Sequence, residues 1–181
     1  MVESSEEKIS FKALTVNDLQ CLHKWLLSPH VKDLYDNGKQ SFEDVEKKYI
    51  PRIRGESPTS CFQILCDGTP IGQIQMYKIN DYPEYKQALQ IEENAAGVDL
   101  FIGEKEFQHR GLGSIIIRKF LKEFVFVQLV VESCIIGPHP KNIVAIRAYQ
   151  KAGFKHIKTI VNPEGEEEYL MKQTKEAIWE E

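Results

Sequence analysis

The chain has 181 residues with 23 basic against 27 acidic side chains, a net charge of −4, so no bulk positive field draws nucleic acid or an anionic membrane to it. A balance of 42% apolar and 28% charged residues fits a folded domain able to bury a core without disulfide or metal staples, and excludes disorder and low-complexity scaffolds. The most apolar stretch, 124–136, is broken by Gln128 and Glu132 and falls short of the roughly 18 residues of a membrane span. The acidic first residues lack the basic-then-apolar form of a secretion signal, so a cytoplasmic location is expected.

Alternation of Ile9, Phe11 and Ala13 predicts a half-buried strand over 8–14. Thr15 to Asp18 has the form of a capping box, and Leu19, Leu22, Trp25 and Leu26 recur behind it at helical spacing. Pro29 stops that helix, a short second one is expected over 31–35, and Asn37-Gly38 turns the chain. Ser41 caps a third helix ending near Arg54. Residues 61–66 and 71–79 read as strands joined by an Asp67-Gly68 hairpin turn. Residues 80–94 show no period and are expected to form a loop.

A strand over 97–102 leads through the glycine-punctuated residues 108–113 into a helix over 114–126, and a buried strand is expected over 130–136. Residues 142–151 form a helix closed by Gly153, and two last strands flank a turn at 163–165. The order β α α α β β β α β α β β, without repeat or linker, predicts one α/β domain over 1–181 with its core over 8–174. Cys21, Cys61, Cys66 and Cys134 and the five histidines show no ligand spacing, so no metal is expected and the cysteines read as structural. Trp25 and Trp179 read as packing anchors.

Gln108-His109-Arg110-Gly111-Leu112-Gly113 joins a strand to a helix. Its glycines let the backbone approach a ligand closely, and the first N–H groups of the helix face whatever lies there, the form of an anion site suited to a pyrophosphate. Taken alone the passage reads more readily as a tight turn; the glycine run of dinucleotide folds and the P-loop Lys-Ser/Thr pair are both missing. Asp99 is the lone acid of an apolar strand. An unpaired carboxylate is costly to bury, so it is expected to face a wet cleft or a cation, or to serve as a strand-end cap or ion-pair partner. Asp81, Glu84, Glu92, Glu93 and Asp99 stand against Lys86 alone within 80–99, which suits a polycationic ligand or a solvated surface. Glu166 to Glu168 read as solubilising charge.

The glycine loop followed by Asn142, Ala145, Tyr149, Gly153 and Phe154 resembles the GNAT superfamily of N-acyltransferases, with their Q/R-x-x-G-x-G/A loop and N-x-x-A-x-x-x-Y-x-x-x-G-F segment. Trp25-Leu26, His30-Val31, Pro70-Ile71-Gly72 and Gly97-Val98-Asp99 narrow the resemblance to aminoglycoside 6′-N-acetyltransferases, from about Ile9 to Gln173. The resemblance implies a mostly antiparallel sheet splayed between its fourth and fifth strands, with flanking helices, and acetyl-CoA as cosubstrate. It implies cofactor contacts at Gln108, His109, Arg110, Gly111, Leu112, Gly113, Ser114, Asn142 and Lys151, and oxyanion-binding backbone at Leu100, Phe101 and Ile102.

By the same resemblance Asp99 is the catalytic base or amine anchor, and Tyr149 the acid beside the CoA sulfur; Tyr149 reads equally as a core tyrosine. Candidate substrate-binding residues are Tyr35, Tyr77, Asp81, Glu84 and Tyr85, with Glu164 at a position that resembles an acid facing substrate. The D-P-x-x-x-N of drug-modifying members reads Gly137 to Asn142 here, so one carboxylate is missing and aminoglycosides are expected to be poorer acceptors. The expected partner is a small polyamine or an aminoglycoside, in a monomer or homodimer. A lysine or hydroxylysine acyltransferase of siderophore synthesis and a non-catalytic acyl-CoA-binding module are the alternatives.

The implied reaction is direct attack of the amine on the thioester, because no cysteine or serine stands beside a base in a nucleophile motif. A carboxylate with the ordinary pKa of about 3.9 is a poor base for an ammonium, so Asp99 is expected to orient the amine and pass its proton through water.

Overall fold

A computed structural model describes residues 5–6, 8–33 and 38–180. Seven strands form one sheet in the order β1-β2-β3-β4-β5-β7-β6, made of β1 Ile9–Ala13, β2 Ser60–Cys66, β3 Thr69–Lys78, β4 Ala95–Ile102, β5 Ser133–Ile136, β6 Lys155–Val161 and β7 Glu167–Thr174. Strands β1 and β2, β5 and β7, and β6 and β7 pair antiparallel, whereas β4 and β5 run parallel. That parallel register ends at Gly97↔Ile135, although β4 runs on to Ile102. This is the parting expected between the fourth and fifth strands.

The chain divides into two compact units, Met1–Gln75 with Asp99–Leu112, and Met76–Val98 with Gly113–Glu181. The first holds α1 Leu19–Leu27, α2 Pro29–Lys32 and α3 Phe42–Ile53. Its core gathers Leu14, Leu19, Leu22, Trp25, Leu26, Val31, Val45, Tyr49, Cys61 and Phe101. Thr15 and Asp18 make the expected capping box, with Asp18 Oδ2 accepting from the Thr15 backbone N–H at 2.8 Å. Ser41 repeats it on α3, where Ser41 Oγ accepts from Asp44 N–H at 3.1 Å. Pro51 sits inside α3, at the cost of one intrahelical hydrogen bond.

The second unit contains α4 Pro83–Leu89, α5 Leu112–Phe120 from Gly113 onward, α6 Phe126–Gln128 and α7 Ile143–Lys151. A smaller core there joins Ile79, Leu89, Ala95, Ile135 and Leu170. A π-helical turn, Leu121–Val125, links α5 to α6.

Three expectations change. Helix α4 replaces the predicted loop over 80–94: Pro83 presets its first turn, and Gln90 ends it at φ 50, where a glycine would have announced the stop. Only Leu89 of α4 is buried, so no apolar repeat marks it. Strand β5 is four residues long, with Val130 81% exposed ahead of it. Helix α2 starts at Pro29, the favoured first helical position, and Asn37 lies outside the described residues.

Strand β4 passes close to Gly72 of β3, where a Cβ would lie 2.1 Å from the Phe101 carbonyl oxygen. Gly72→Ala is expected to lower stability by about 1–3 kcal/mol in urea unfolding, because relief requires the two backbones to part. An unchanged midpoint would show slack between β3 and β4.

Candidate active site

The end of β4 is gripped from α1 and α2. Trp25 lies so close under Gly103 that a Cβ there would meet the indole at 2.2 Å, and its Nε1–H donates to Glu104 Oε1 at 2.8 Å. His30 Nε2–H donates to the Gly103 carbonyl at 2.8 Å. Phe101 packs edge-on against Trp25 at 6.3 Å. The Trp25 and His30 pattern therefore fixes where β4 ends, and with it the half-buried Leu100 and Ile102 and the buried Phe101.

Asp99 takes its hydrogen bond from a neutral side chain. Its Oδ2 accepts from Gln75 Nε2 at 2.9 Å, while Gln75 Oε1 accepts from Arg52 Nη1 at 2.8 Å and faces the Cys61 thiol at 3.6 Å. Burial pushes the Asp99 carboxyl above its usual range, against the Gln75 hydrogen bond and the charges of Arg52 and Lys48, which pull it down. The ordinary acidity expected of Asp99 is thereby corrected: it is a stronger base than an exposed aspartate.

Burial also pushes the Tyr49 hydroxyl up to about 12 and raises the Cys61 thiol, so both stay protonated at neutral pH. Gln73 shares hydrogen bonds with both groups. Arg52, Gln75, Tyr49 and Cys61 were not foreseen, because they lie on three elements with no shared spacing. Only the polar positions inside the apolar run of β3 hinted at them.

Residues 108–113 carry two left-handed backbones, His109 at φ 57 and Gly111 at φ 74. A Cβ on Gly111 would meet nothing within 4 Å, so space is open beside an exposed backbone that only glycine adopts without strain. Gln108 Nε2 donates to the Ile102 carbonyl at 3.4 Å and ties the loop to β4. His109 and Arg110 are exposed, Leu112 is buried, and Gly113 and Ser114 are half-buried in the first turn of α5. Gly113 meets α7 closely, since a Cβ there would lie 3.3 Å from Ala148 Cβ. On α7, Asn142 caps the helix by accepting from Ala145 N–H at 3.2 Å, Lys151 is exposed, and Tyr149 is buried with its ring 6.0 Å from Phe154.

Of the expected substrate residues, Tyr77 and Tyr85 come together, with ring centroids 6.5 Å apart, and Tyr82 joins them at 5.1 Å from Tyr77. Gly97 makes room for Tyr77, whose ring would lie 2.4 Å from a Cβ. Asp81 and Glu84 are exposed, Glu164 is exposed in the β6–β7 turn, and Tyr35 lies outside the described residues.

Glu168, read as solubilising charge, is instead half-buried: it accepts from Tyr85 Oη–H at 2.7 Å and from Asn162 Nδ2 at 3.0 Å. Its Oε2 stands 2.3 Å from where a Gly137 Cβ would be. A carboxylate does occupy this place, and it comes from β7. Gly137→Asp would press one carboxylate onto another, so a loss of about 1–3 kcal/mol in thermal or urea unfolding is expected, with Glu168→Ala in the same chain recovering most of it. Equal stability of Gly137→Asp and the native chain would contradict this placement.

A family model described as acetyltransferase (GNAT) domain matches residues 15–161. The chain is 26% identical over 180 residues to aminoglycoside N(6′)-acetyltransferase type 1 of Klebsiella pneumoniae, covering 98% of this chain and 89% of that protein. Aminoglycoside acetyltransferase AAC(6′)-Ib solved with coenzyme A and kanamycin superposes with a TM-score of 0.79 at 26% identity, over 93% of this chain and 96% of the other. Its structure with ribostamycin and coenzyme A gives a TM-score of 0.82 at 25% identity, over 96% and 97%. The matched span holds the parting of β4 from β5, the left-handed glycine loop opening α5 and the Asn142-capped α7, and on that match the chain belongs to the GNAT acetyltransferase family.

Proposed function

We propose that the protein transfers the acetyl group of acetyl-CoA to a primary amine of a small polycationic acceptor, with the 6′-amine of an aminoglycoside as first candidate. The carrying observation is Asp99, half-buried and hydrogen-bonded by Gln75, with its carboxyl raised above its usual range in the strand that leads to the glycine loop. The family match through both units supports one catalytic domain, working in the cytoplasm. No helix among the described residues is long and apolar enough to cross a membrane.

Acetyl-CoA supplies the acetyl thioester, which the amine nitrogen attacks directly. Backbone N–H groups from Gln108 to Ser114 hold the pyrophosphate, helped by Asn142 and Lys151. The open side of Gly111 fits that use, since any side chain would stand where phosphate oxygens must approach. Backbone of β4 past Gly97, released from β5, offers N–H groups at Leu100 to Ile102 to the thioester oxygen as it gains charge. Asp99 orients the amine and accepts its proton, for which a raised carboxyl is the better matched base. Tyr149 returns a proton to the departing sulfur. The Tyr77, Tyr82 and Tyr85 rings, with the Glu168 carboxylate on Tyr85, form the acceptor side of unit two.

The test is release of CoA thiol across aminoglycosides, polyamines, lysine and hydroxylysine. Thiol release is expected with a 6′-amino aminoglycoside, and its KM should rise about threefold or more from low salt to 0.15 M because exposed ion pairs are screened. Release only with lysine-type acceptors would move the reading to the siderophore-type acyltransferase. Tight acetyl-CoA binding without thiol release from any amine would make the protein a binding module.

A further inference from the structure

We propose that Arg52 and Gln75 form a one-way hydrogen-bond relay whose role is to position Asp99, holding Oδ2 in an acceptor-only state and leaving Oδ1 to receive the proton of the acceptor amine. This rests on the reading of Asp99 as the base. A guanidinium can only donate, so Gln75 must turn its oxygen to Arg52, 2.8 Å away. The Cys61 thiol, 3.6 Å from the same oxygen and kept protonated by burial, enforces that choice. The amide nitrogen then has one direction left, toward Asp99 Oδ2 at 2.9 Å.

An amide locked this way cannot flip to accept from a protonated Oδ2. The relay favours the ionised carboxylate, since an acid protonated on Oδ1 accepts the same Gln75 hydrogen bond through a neutral, weaker Oδ2. A proton taken from substrate therefore resides on Oδ1, from which it can leave again.

The titratable and charged groups around Asp99 are Lys48, Tyr49 and Arg52 on α3 and Cys61 on β2, with the neutral Gln75 on β3. Tyr49 and Cys61 remain neutral through the working pH range, since burial raises both. Burial of Asp99 opposes ionisation, and the Gln75 hydrogen bond and the Arg52 and Lys48 charges offset part of that. The sign follows. Removing the Gln75 donor strips a stabiliser of the charged form, so the carboxyl rises further. Removing Arg52 takes away charge and also frees the amide to turn its oxygen to a protonated Asp99, which raises it again. Because Arg52 acts in large part through Gln75, the two effects overlap and fall short of a sum.

The experiment titrates the Asp99 carboxyl directly, by carbon NMR of chains labelled at the aspartate carboxyl, with the signal assigned by its loss in Asp99→Asn. Gln75→Met, Arg52→Met and the double variant are compared with the native chain, with Arg52→Lys in reserve should Arg52→Met fail to fold. The midpoint is expected to rise by about one pH unit in Gln75→Met and in Arg52→Met, and by less than the sum in the double variant. With the best amine acceptor, the acidic limb of kcat/KM should move by the same amount, a fall of about tenfold below the limb, while acetyl-CoA affinity stays unchanged.

An unmoved midpoint in Gln75→Met would overturn the relay, and additive shifts would overturn Arg52 acting through Gln75. A midpoint that moves while the acidic limb stays would show that Asp99 is not the governing base and reduce the relay to a structural contact. Absence of turnover in the native chain would defeat the acetyltransferase reading, and the NMR titration would still decide whether the relay exists.

Discussion

A carboxylate cannot be drawn into an apolar strand without something to answer its charge, and at Asp99 the direct contact is one amide, backed by the charges of Arg52 and Lys48. That amide must be held from behind, so α3 has to present Arg52, and β2 its Cys61, to the far side of Gln75. The strand carrying Asp99 must also be fixed along its length. Trp25, His30 and Gly103 clamp its end, and Gly72 lets β3 come close enough for Gln75 to reach across. The core of α1 and α3 in the first unit thus does more than fill space: it sets the position of Asp99, the half-buried acid proposed as the base.

The loop proposed to hold the pyrophosphate obeys a different constraint. Phosphate oxygens are met by backbone N–H groups only where side chains stand aside, and residues 108–113 arrange this with two left-handed residues, one a glycine opening onto empty space. In the second unit Gly113 and Ala148 let the first turn of α5 come close to α7. Beside Gly137 the space that a side chain would enter is taken by the Glu168 carboxylate of β7.

Local signals carried much of this. Capping boxes at Thr15 and Ser41 and the Asp67-Gly68 turn each depend on residues within a few positions of one another, and all stand where they were expected. Asp99 was legible because an acid in an apolar run is conspicuous. Its partners were not, since Arg52 and Gln75 are joined only by the pairing of strands and the packing of α3. Glu168 was hidden among three successive glutamates, of which it alone is half-buried. Helix α4 escaped notice because it buries one residue and stops on a glutamine.

The central claim is that Asp99 acts on the acceptor amine and not on the cosubstrate. Its most direct test measures two quantities on Asp99→Asn, which keeps the shape and removes the charge. Calorimetry should give an acetyl-CoA affinity equal to that of the native chain, while turnover with the best amine falls by roughly 10²–10⁴-fold. Turnover within a few-fold of native, or a matching loss of acetyl-CoA affinity, would contradict it.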